Sequence, residues 1–170
     1  QGILFLGKVL AELGMKAGRY VSWIPSYGPE MRGGTANCSV VLSDVPIASP
    51  IVNEPDTVLA MNRPSVAKFN SKIKKAGMMI YNSSLIEGEK IREDIRTMKV
   101  AASEIADKLG NPKVANLVMA GAYVKFSKII DFSAAVELIP QLIPAKKQEF
   151  VELNLNAFKK GYECVEVISG

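Results

Sequence analysis

The run DTVLAMNRPSVAKFNSKIKKAGMMIY, residues 56–81, sets out a strand, a helix and a second strand in succession. Asp56 to Met61 is a short apolar segment bounded by Pro55 and by Asn62-Arg63-Pro64. The proline fits the first turn of a helix, where its missing N–H would have no intrahelical partner in any case. Val66, Phe69 and Ile73 recur at helical spacing opposite Lys68, Lys72 and Lys75, which predicts an amphipathic helix over 64–75. Gly77 punctuates, and Met78 to Tyr81 reads as a continuous apolar strand that runs into the polar cluster Asn82-Ser83-Ser84. Strand, helix and strand within about thirty residues make a parallel βαβ unit. Ile95 to Val100, feeding a helix over 102–109 that Gly110 ends, repeats the alternation.

Toward the N-terminus, residues 3–13 read as an apolar helix and Tyr20 to Ile24 as a short strand. A loop rich in glycine and proline occupies 25–34. Thr35 to Leu42 then alternates, with Ala36, Cys38, Val40 and Leu42 on one face, so Cys38 reads as a small buried hydrophobe. Toward the C-terminus, Asn111-Pro112 opens a long helix to about Lys128. Its apolar residues run all round the circumference, and Ala115, Ala120, Gly121 and Ala122 are small enough for close packing, which predicts a buried central helix. Ser133 is the expected cap of a short helix interrupted by Pro140, and Pro144 starts a last helix that Gly161 ends. The expected fold is α/β: a single three-layer α/β/α domain over residues 1–170, with a mainly parallel Rossmann-like sheet and a helical C-terminal third.

Composition narrows the chemistry. The 170 residues are 48% hydrophobic and 22% charged, as in a folded globular chain. The apolar stretch Leu117 to Val124 falls well short of the roughly 20 residues that a membrane-spanning helix needs, so no membrane segment is expected. There is no histidine, which removes the commonest zinc ligand and the usual base of a catalytic triad. Cys38 and Cys164 are too few for a cluster or a structural zinc site and fit a reducing cytoplasm. The net charge of +4 is local: residues 63–100 carry nine basic and four acidic side chains, whereas the flanking segments are close to neutral. Lys68, Lys72, Lys74, Lys75, Lys90, Arg92, Arg96 and Lys99 are either a solvated face or a surface for an anion or an acidic partner. Aromatic residues interleaved with the basic ones for stacking on bases are missing there, which argues against nucleic acid.

Gly2 to Val9 matches the spacing GxxxxGK of a phosphate-binding loop, but its filler is four large apolar residues and Val9 stands where magnesium needs a hydroxyl, so it reads as helix. The loop Pro25-Ser26-Tyr27-Gly28-Pro29-Glu30-Met31-Arg32-Gly33-Gly34 is larger and more functionalised than a connector requires. It is either a rigid turn in which Glu30 and Arg32 pair, or a binding loop whose amides near Gly33-Gly34 receive an anion.

The run Ile24 to Val40 closely resembles the signature of the gamma subunit of 2-oxoacid:ferredoxin oxidoreductases. The resemblance continues in Ser43-Asp44, Ile47-Ala48-Ser49-Pro50, Pro55-Asp56, Ala60-Met61-Asn62, Asn82-Ser83-Ser84 and Ala106 to Asn111. It implies a chain that is non-catalytic by itself within a complex of alpha, beta and ferredoxin-like delta subunits. That complex converts a 2-oxoacid and coenzyme A to acyl-CoA, carbon dioxide and reduced ferredoxin. Thiamine diphosphate and [4Fe–4S] clusters are expected in the sibling subunits, with no cofactor held by this chain alone and no nucleic acid or membrane among its partners. Glu30 to Cys38 is more similar to the 2-oxoglutarate and branched-chain (ketoisovalerate) enzymes than to the pyruvate enzymes. Members begin with a strand and a glycine-rich turn ending in Gln-Gly, so Gln1-Gly2 is expected to mark where that turn was cut. The residues expected to face a partner or coenzyme A are Ser26, Tyr27, Gly28, Pro29, Glu30, Met31, Arg32, Gly33, Gly34 and Asn37, with a second candidate loop at Asn62, Asn82, Ser83 and Ser84. No catalytic residue and no metal ligand is assigned. The alternative reading is a free-standing nucleotide-binding α/β protein that uses the Gly28 to Gly34 loop.

Overall fold

The apolar runs that read as strands pair as a parallel sheet. In the computed structural model, which describes residues 2–27 and 36–169, β3 (Thr57–Ala60) lies beside β4 (Met78–Asn82), and β4 beside β5 (Arg96–Val100), all parallel. Leu59 stands opposite Ile80, and Ile80 opposite Met98. Side chains alternate across the sheet. Met78, Ile80, Met98 and Val100 therefore join one buried cluster, while Val58, Ala60 and Met79 join another on the opposite face. Both faces are covered, which is why these strands are apolar throughout rather than alternating.

One face is covered by α2 (Arg63–Phe69), a 3₁₀ turn at Asn70–Lys72 and the chain up to β5, through Val66, Ile73, Ile86 and Ile95. The predicted helix over 64–75 is thus shorter than expected: Ile73 is already extended at its end, and the chain turns toward β4. The other face is covered by α1 (Ile3–Lys16), α3 (Ala102–Lys108), α4 (Ala115–Ser127), α5 (Phe132–Leu142) and α6 (Val151–Glu163). The expected three layers and helical C-terminal third are present. Among the described residues, no helix is long and apolar enough to cross a membrane.

Helix α4 is buried nearly all round, as its uniform apolarity required. It packs on α6 with the two backbones in contact. A Cβ at Gly121 would stand 2.0 Å from the Phe158 carbonyl oxygen, and one at Gly161 would stand 1.8 Å from that of Val118. This overturns the reading of Gly161 as a helix stop. The helix continues to Glu163, and the glycine is there because nothing larger fits against α4.

Other local expectations shift for similar reasons. Pro140 does not interrupt α5, because it sits in the last turn, where it removes a single backbone bond. The cap of that helix is Asp131, whose carboxylate accepts the Ala134 N–H at 3.0 Å; Ser133, the expected cap, lies within the helix and donates its hydroxyl to the same carboxylate. A strand that the sequence reading lacked, β6 (Glu166–Ser169), pairs antiparallel with β5.

The two N-terminal strands stay out of the main sheet. β1 (Tyr20–Tyr27) and β2 (Ala36–Ser43) form a separate antiparallel ribbon in which Trp23 faces Val40 and Pro25 faces Cys38. One face of the ribbon rests on α1 at two glycines: a Cβ at Gly7 would meet Cys38 Sγ at 2.4 Å, and one at Gly14 would meet Leu42 Cδ2 at 2.3 Å. Gly7 and Lys8 are thus part of a packed helix and not of a phosphate loop. Cys38 is half-buried rather than fully buried.

In an open helix, Gly→Ala stabilises by about 1 kcal/mol. At Gly161 the clash reverses the sign: Gly161→Ala is expected to destabilise the fold by about 2 kcal/mol or more in chemical denaturation. An unchanged or raised stability would show that α4 and α6 are not in backbone contact.

Candidate functional site

In open α/β sheets, ligands are received outside the carboxyl ends of the strands, and the second candidate loop, Asn62, Asn82, Ser83 and Ser84, lies at that end. Asn62 follows β3 and caps α2. Its Oδ1 accepts the Ser65 N–H at 3.0 Å and the Ser65 hydroxyl at 2.8 Å. Asn82 ends β4 and is wholly buried. Its Oδ1 accepts the N–H of Ser84 at 3.3 Å and of Ser103 at 3.2 Å, while its Nδ2 donates to Ser103 Oγ at 2.8 Å.

These contacts explain how α3 begins. The residue at its start is Ala101, which has no side chain to cap with. The first-turn amides of Ser103 and Glu104 are satisfied instead from the neighbouring strand end, by Asn82 Oδ1 and by Ser84 Oγ at 3.0 Å. Within the second candidate loop, Asn82 is thus enclosed and spends its amide inside the chain. The one signal available in the sequence was the alanine pair Ala101-Ala102 opening a helix, since such a start must borrow its cap from elsewhere.

Ser83 and Ser84 border a shallow cleft of about 410 Å³ that also touches Glu87, Ser103, Glu104 and Asp107. Its character is acidic. The Lys108 ammonium, 2.7 Å away, holds the Glu104 carboxyl below its ordinary range. Such a lining does not suit a polyanion.

The first candidate loop leaves from the ribbon. Ser26 is exposed on β1 opposite Asn37, which is half-buried on β2, and the Tyr27 backbone pairs with Ala36. Gly28, Pro29, Glu30, Met31, Arg32, Gly33 and Gly34 lie outside the described residues. The two ends of α4 show where the ribbon stands. Ser127 at its C-terminus lines a cleft with the first residues of β3, β4 and β5, and Asn116 in its first turn donates to the Gly2 carbonyl at 3.2 Å. Thirteen helical residues span about 20 Å. The start of α1 is therefore near the carboxyl ends of the strands, and Cys38, donating to the Ile3 carbonyl at 3.5 Å, brings the ribbon there. Ser26 and Asn37, the described ends of the first candidate segment, are thus carried by a ribbon that reaches the end of the fold where Asn62, Asn82, Ser83 and Ser84 lie. Burial pushes the Cys38 thiol up, partly offset by hydrogen bonds with the Trp23 side chain and the Gly7 backbone.

The basic segment is less free than its charge suggests. Arg63 pairs with Glu89, Lys74 with Asp56, Arg92 with Asp94 and Lys99 with Glu166. Arg92 also donates to the carbonyls of Asn70, Ser71 and Ile73, fastening the end of the 3₁₀ turn. Lys68 and Lys72 lie over the Phe69 ring. No group of three His, Cys, Asp or Glu side chains able to hold a metal occurs among the described residues.

The sequence pattern of the family described as pyruvate ferredoxin/flavodoxin oxidoreductase matches residues 1–164. The chain is 36% identical, over 96% of its length, to the ketoisovalerate oxidoreductase subunit VorA of Methanothermobacter thermautotrophicus, of which it spans only 34%. With the 2-oxoglutarate synthase subunit KorC of Methanocaldococcus jannaschii it shares 32% identity over 98% of this chain and 89% of that one. Among solved structures, a keto/oxoacid ferredoxin oxidoreductase gamma subunit from Geobacter sulfurreducens superposes with a TM-score of 0.79 at 28% identity, covering 95% of this chain and 90% of that one. The 2-oxoglutarate:ferredoxin oxidoreductase of Magnetococcus marinus, with 2-oxoglutarate, coenzyme A and succinyl-CoA bound, shares the fold at a TM-score of 0.84 and 23% identity, over 95% of this chain and 28% of that one.

Replacing the borrowed cap tests the strand-end geometry. Asn82→Ala leaves two amides without acceptors and is expected to cost about 2 kcal/mol, with faster amide hydrogen exchange at Ser103. Unaltered exchange there would mean that α3 is capped by another group.

Proposed function

Because the chain belongs to the pyruvate ferredoxin/flavodoxin oxidoreductase family, we propose that it is the gamma-type module of a multi-subunit 2-oxoacid:ferredoxin oxidoreductase. The observation that carries this reading is the match of nearly the whole chain to proteins in two arrangements. One is a subunit of similar length, and the other is a segment of a much longer polypeptide. A unit that keeps its fold in both arrangements is an interchangeable part of one assembly. In this reading the assembly oxidatively decarboxylates a 2-oxoacid with coenzyme A in the cytoplasm, and residues 1–170 form one module that supports the subunits around it.

The redox cofactors belong to the other subunits. A [4Fe–4S] cluster takes four thiolates, whereas this chain offers Cys38 in the ribbon and Cys164 behind α6. Those donors do not fit a cluster. Thiamine diphosphate is assigned to a sibling subunit as well, and ferredoxin-like delta, alpha and beta subunits are the proposed neighbours. The substrate class is a branched-chain 2-oxoacid or 2-oxoglutarate, in line with the names of the relatives. For coenzyme A, the acidic cleft beside Ser83 and Ser84 is the less suitable surface. The segment from Ser26 to Asn37, with Arg32 and its glycines, is the proposed point of contact.

Affinity purification of the tagged chain from its native source is expected to recover thiamine- and iron–sulfur-containing subunits together with 2-oxoacid-dependent ferredoxin reduction. Recovery of the chain alone, with 2-oxoacid oxidation intact after its deletion, would overturn the proposal. Within the purified complex, Arg32→Ala is expected to raise the KM for coenzyme A by about tenfold, the worth of one charge-assisted contact. A complex that assembles and turns over like wild type removes Arg32 from the coenzyme A contact.

A further inference from the structure

At the opposite end of the sheet from the segments above, a cleft of about 300 Å³ opens between the first residues of β3, β4 and β5 and the last turn of α4. We propose that this cleft binds a small organic anion, a carboxylate or phosphate ester carrying a compact hydrocarbon body. The inference is independent of the function proposed above.

Lys74, Lys75 and Arg96 line one side. Lys74 is engaged by Asp56 at 2.9 Å on the exposed rim. Among the described residues neither Lys75 nor Arg96 has an ion-pair partner; Lys75 feels Asp94, but that carboxylate is already held by Arg92 at 2.5 Å. Two cations are thus left facing the cleft. Arg96 starts β5 beside Met78 of β4, on the face of the sheet that α4 covers.

The facing wall combines two hydroxyls with carbon. Burial pushes the Tyr123 phenol up, so it stays protonated at neutral pH. Ser127 Oγ is buried with no partner of proper hydrogen-bond geometry, and the Tyr123 phenol is the polar group beside it. Phe126 and Ile129 supply the apolar part. A guanidinium, an ammonium and a phenol around one opening are matched to a carboxylate or phosphate head, which a guanidinium can bind through two parallel hydrogen bonds. The apolar wall is matched to a carbon body, and the volume lies at the small end for ligand sites.

The backbone around the cleft is unusual as well. Among the described residues, Ala76 (φ 59°) and Lys128 (φ 52°) are the non-glycine positions in the left-handed region. Ala76 lines the cleft, and Lys128 stands between Ser127 and Ile129, which line it too. Left-handed non-glycine residues persist where the surroundings hold them, and they concentrate at binding sites. Here the Ala76 N–H donates to the Asp94 carbonyl and the Gly77 N–H to the Lys74 carbonyl, both at 2.9 Å. A Cβ at Gly77 would collide with the Asp56 and Lys74 carbonyl oxygens at 2.8 Å, so the rim has no looser conformation to adopt with a larger residue.

The test is calorimetric titration of the protein, in whatever assembly it purifies, with phenyl phosphate and with inorganic phosphate. Phenyl phosphate is expected to saturate one site per chain, with inorganic phosphate about tenfold weaker for want of the hydrocarbon. Lys75→Ala and Arg96→Ala are each expected to weaken phenyl phosphate by about tenfold, and Arg96→Lys by less, since it keeps the charge and loses the fork. Lys68→Ala, an equal change in net charge on α2, is expected to leave binding unaltered. Absence of a saturable heat, binding retained in Arg96→Ala, or an equal loss in Lys68→Ala would each overturn the proposal. It falls equally if the cleft variants lower thermal stability without changing affinity, for then the cations serve only the terminal carbonyls of α4.

Discussion

The rest of the fold hangs on the contact of two helix backbones. Where α4 meets α6, Gly121 and Gly161 remove the side chains that would hold the axes apart, and each main chain rests against the other. This draws a helix that is apolar all round into the centre of the molecule. Along it lie α1 at one end, the main sheet on one flank and α3 and α6 beside it. Because α4 runs from the carboxyl ends of the strands to their starts, it fixes which segments share an end of the molecule. The same helix that carries Asn116 against Gly2 carries Tyr123 and Ser127 to the far side of the sheet.

A second dependence runs from strand to helix. Helix α3 starts on two alanines and is capped from outside by Asn82 and Ser84, so the turn after β4 and the start of α3 are one hydrogen-bonded unit. The N-terminal amides of a helix are a common seat for phosphate, but here they are occupied by the protein's own side chains. Together with the carboxylates of Glu87, Glu104 and Asp107, this leaves the turn after β4 an acidic surface with its helix amides already engaged.

How much could be read from the residues depended on whether the cause was local. The strands at 57–60 and 78–82 and the buried helix at 115–127 follow from hydrophobic pattern, and these come close to their predicted bounds. Gly161 and Pro140 were misread because each carries a strong one-dimensional signal for ending a helix, while the reason for its presence is tertiary or positional. The strand Glu166–Ser169 has four residues, two of them exposed and apolar, and no period to betray it; its partner β5 defines it. Asn82 looked like a loop residue with free polar groups, since nothing adjacent in sequence says that Ser103 and Ser84 consume them. The loop from Gly28 to Gly34 was legible by its composition and by resemblance to a family, and it lies outside the described residues.

The ribbon on α1 and the β5–β6 pair differ in a way that bears on how the molecule is made. α1, β1 and β2 are consecutive in the sequence, so their mutual contacts close over short stretches of chain. Thr97 meets Ser169 across more than 70 intervening residues, a closure that carries a larger entropic cost and must wait for the helices between them. The fold thus joins a corner of local contacts to a sheet edge closed by a distant segment. Until β6 arrives, β5 is an unpaired edge, and the completed edge still bears Val167 and Ile168 in solvent. Without that pairing, the backbone of β5 would be open to another strand.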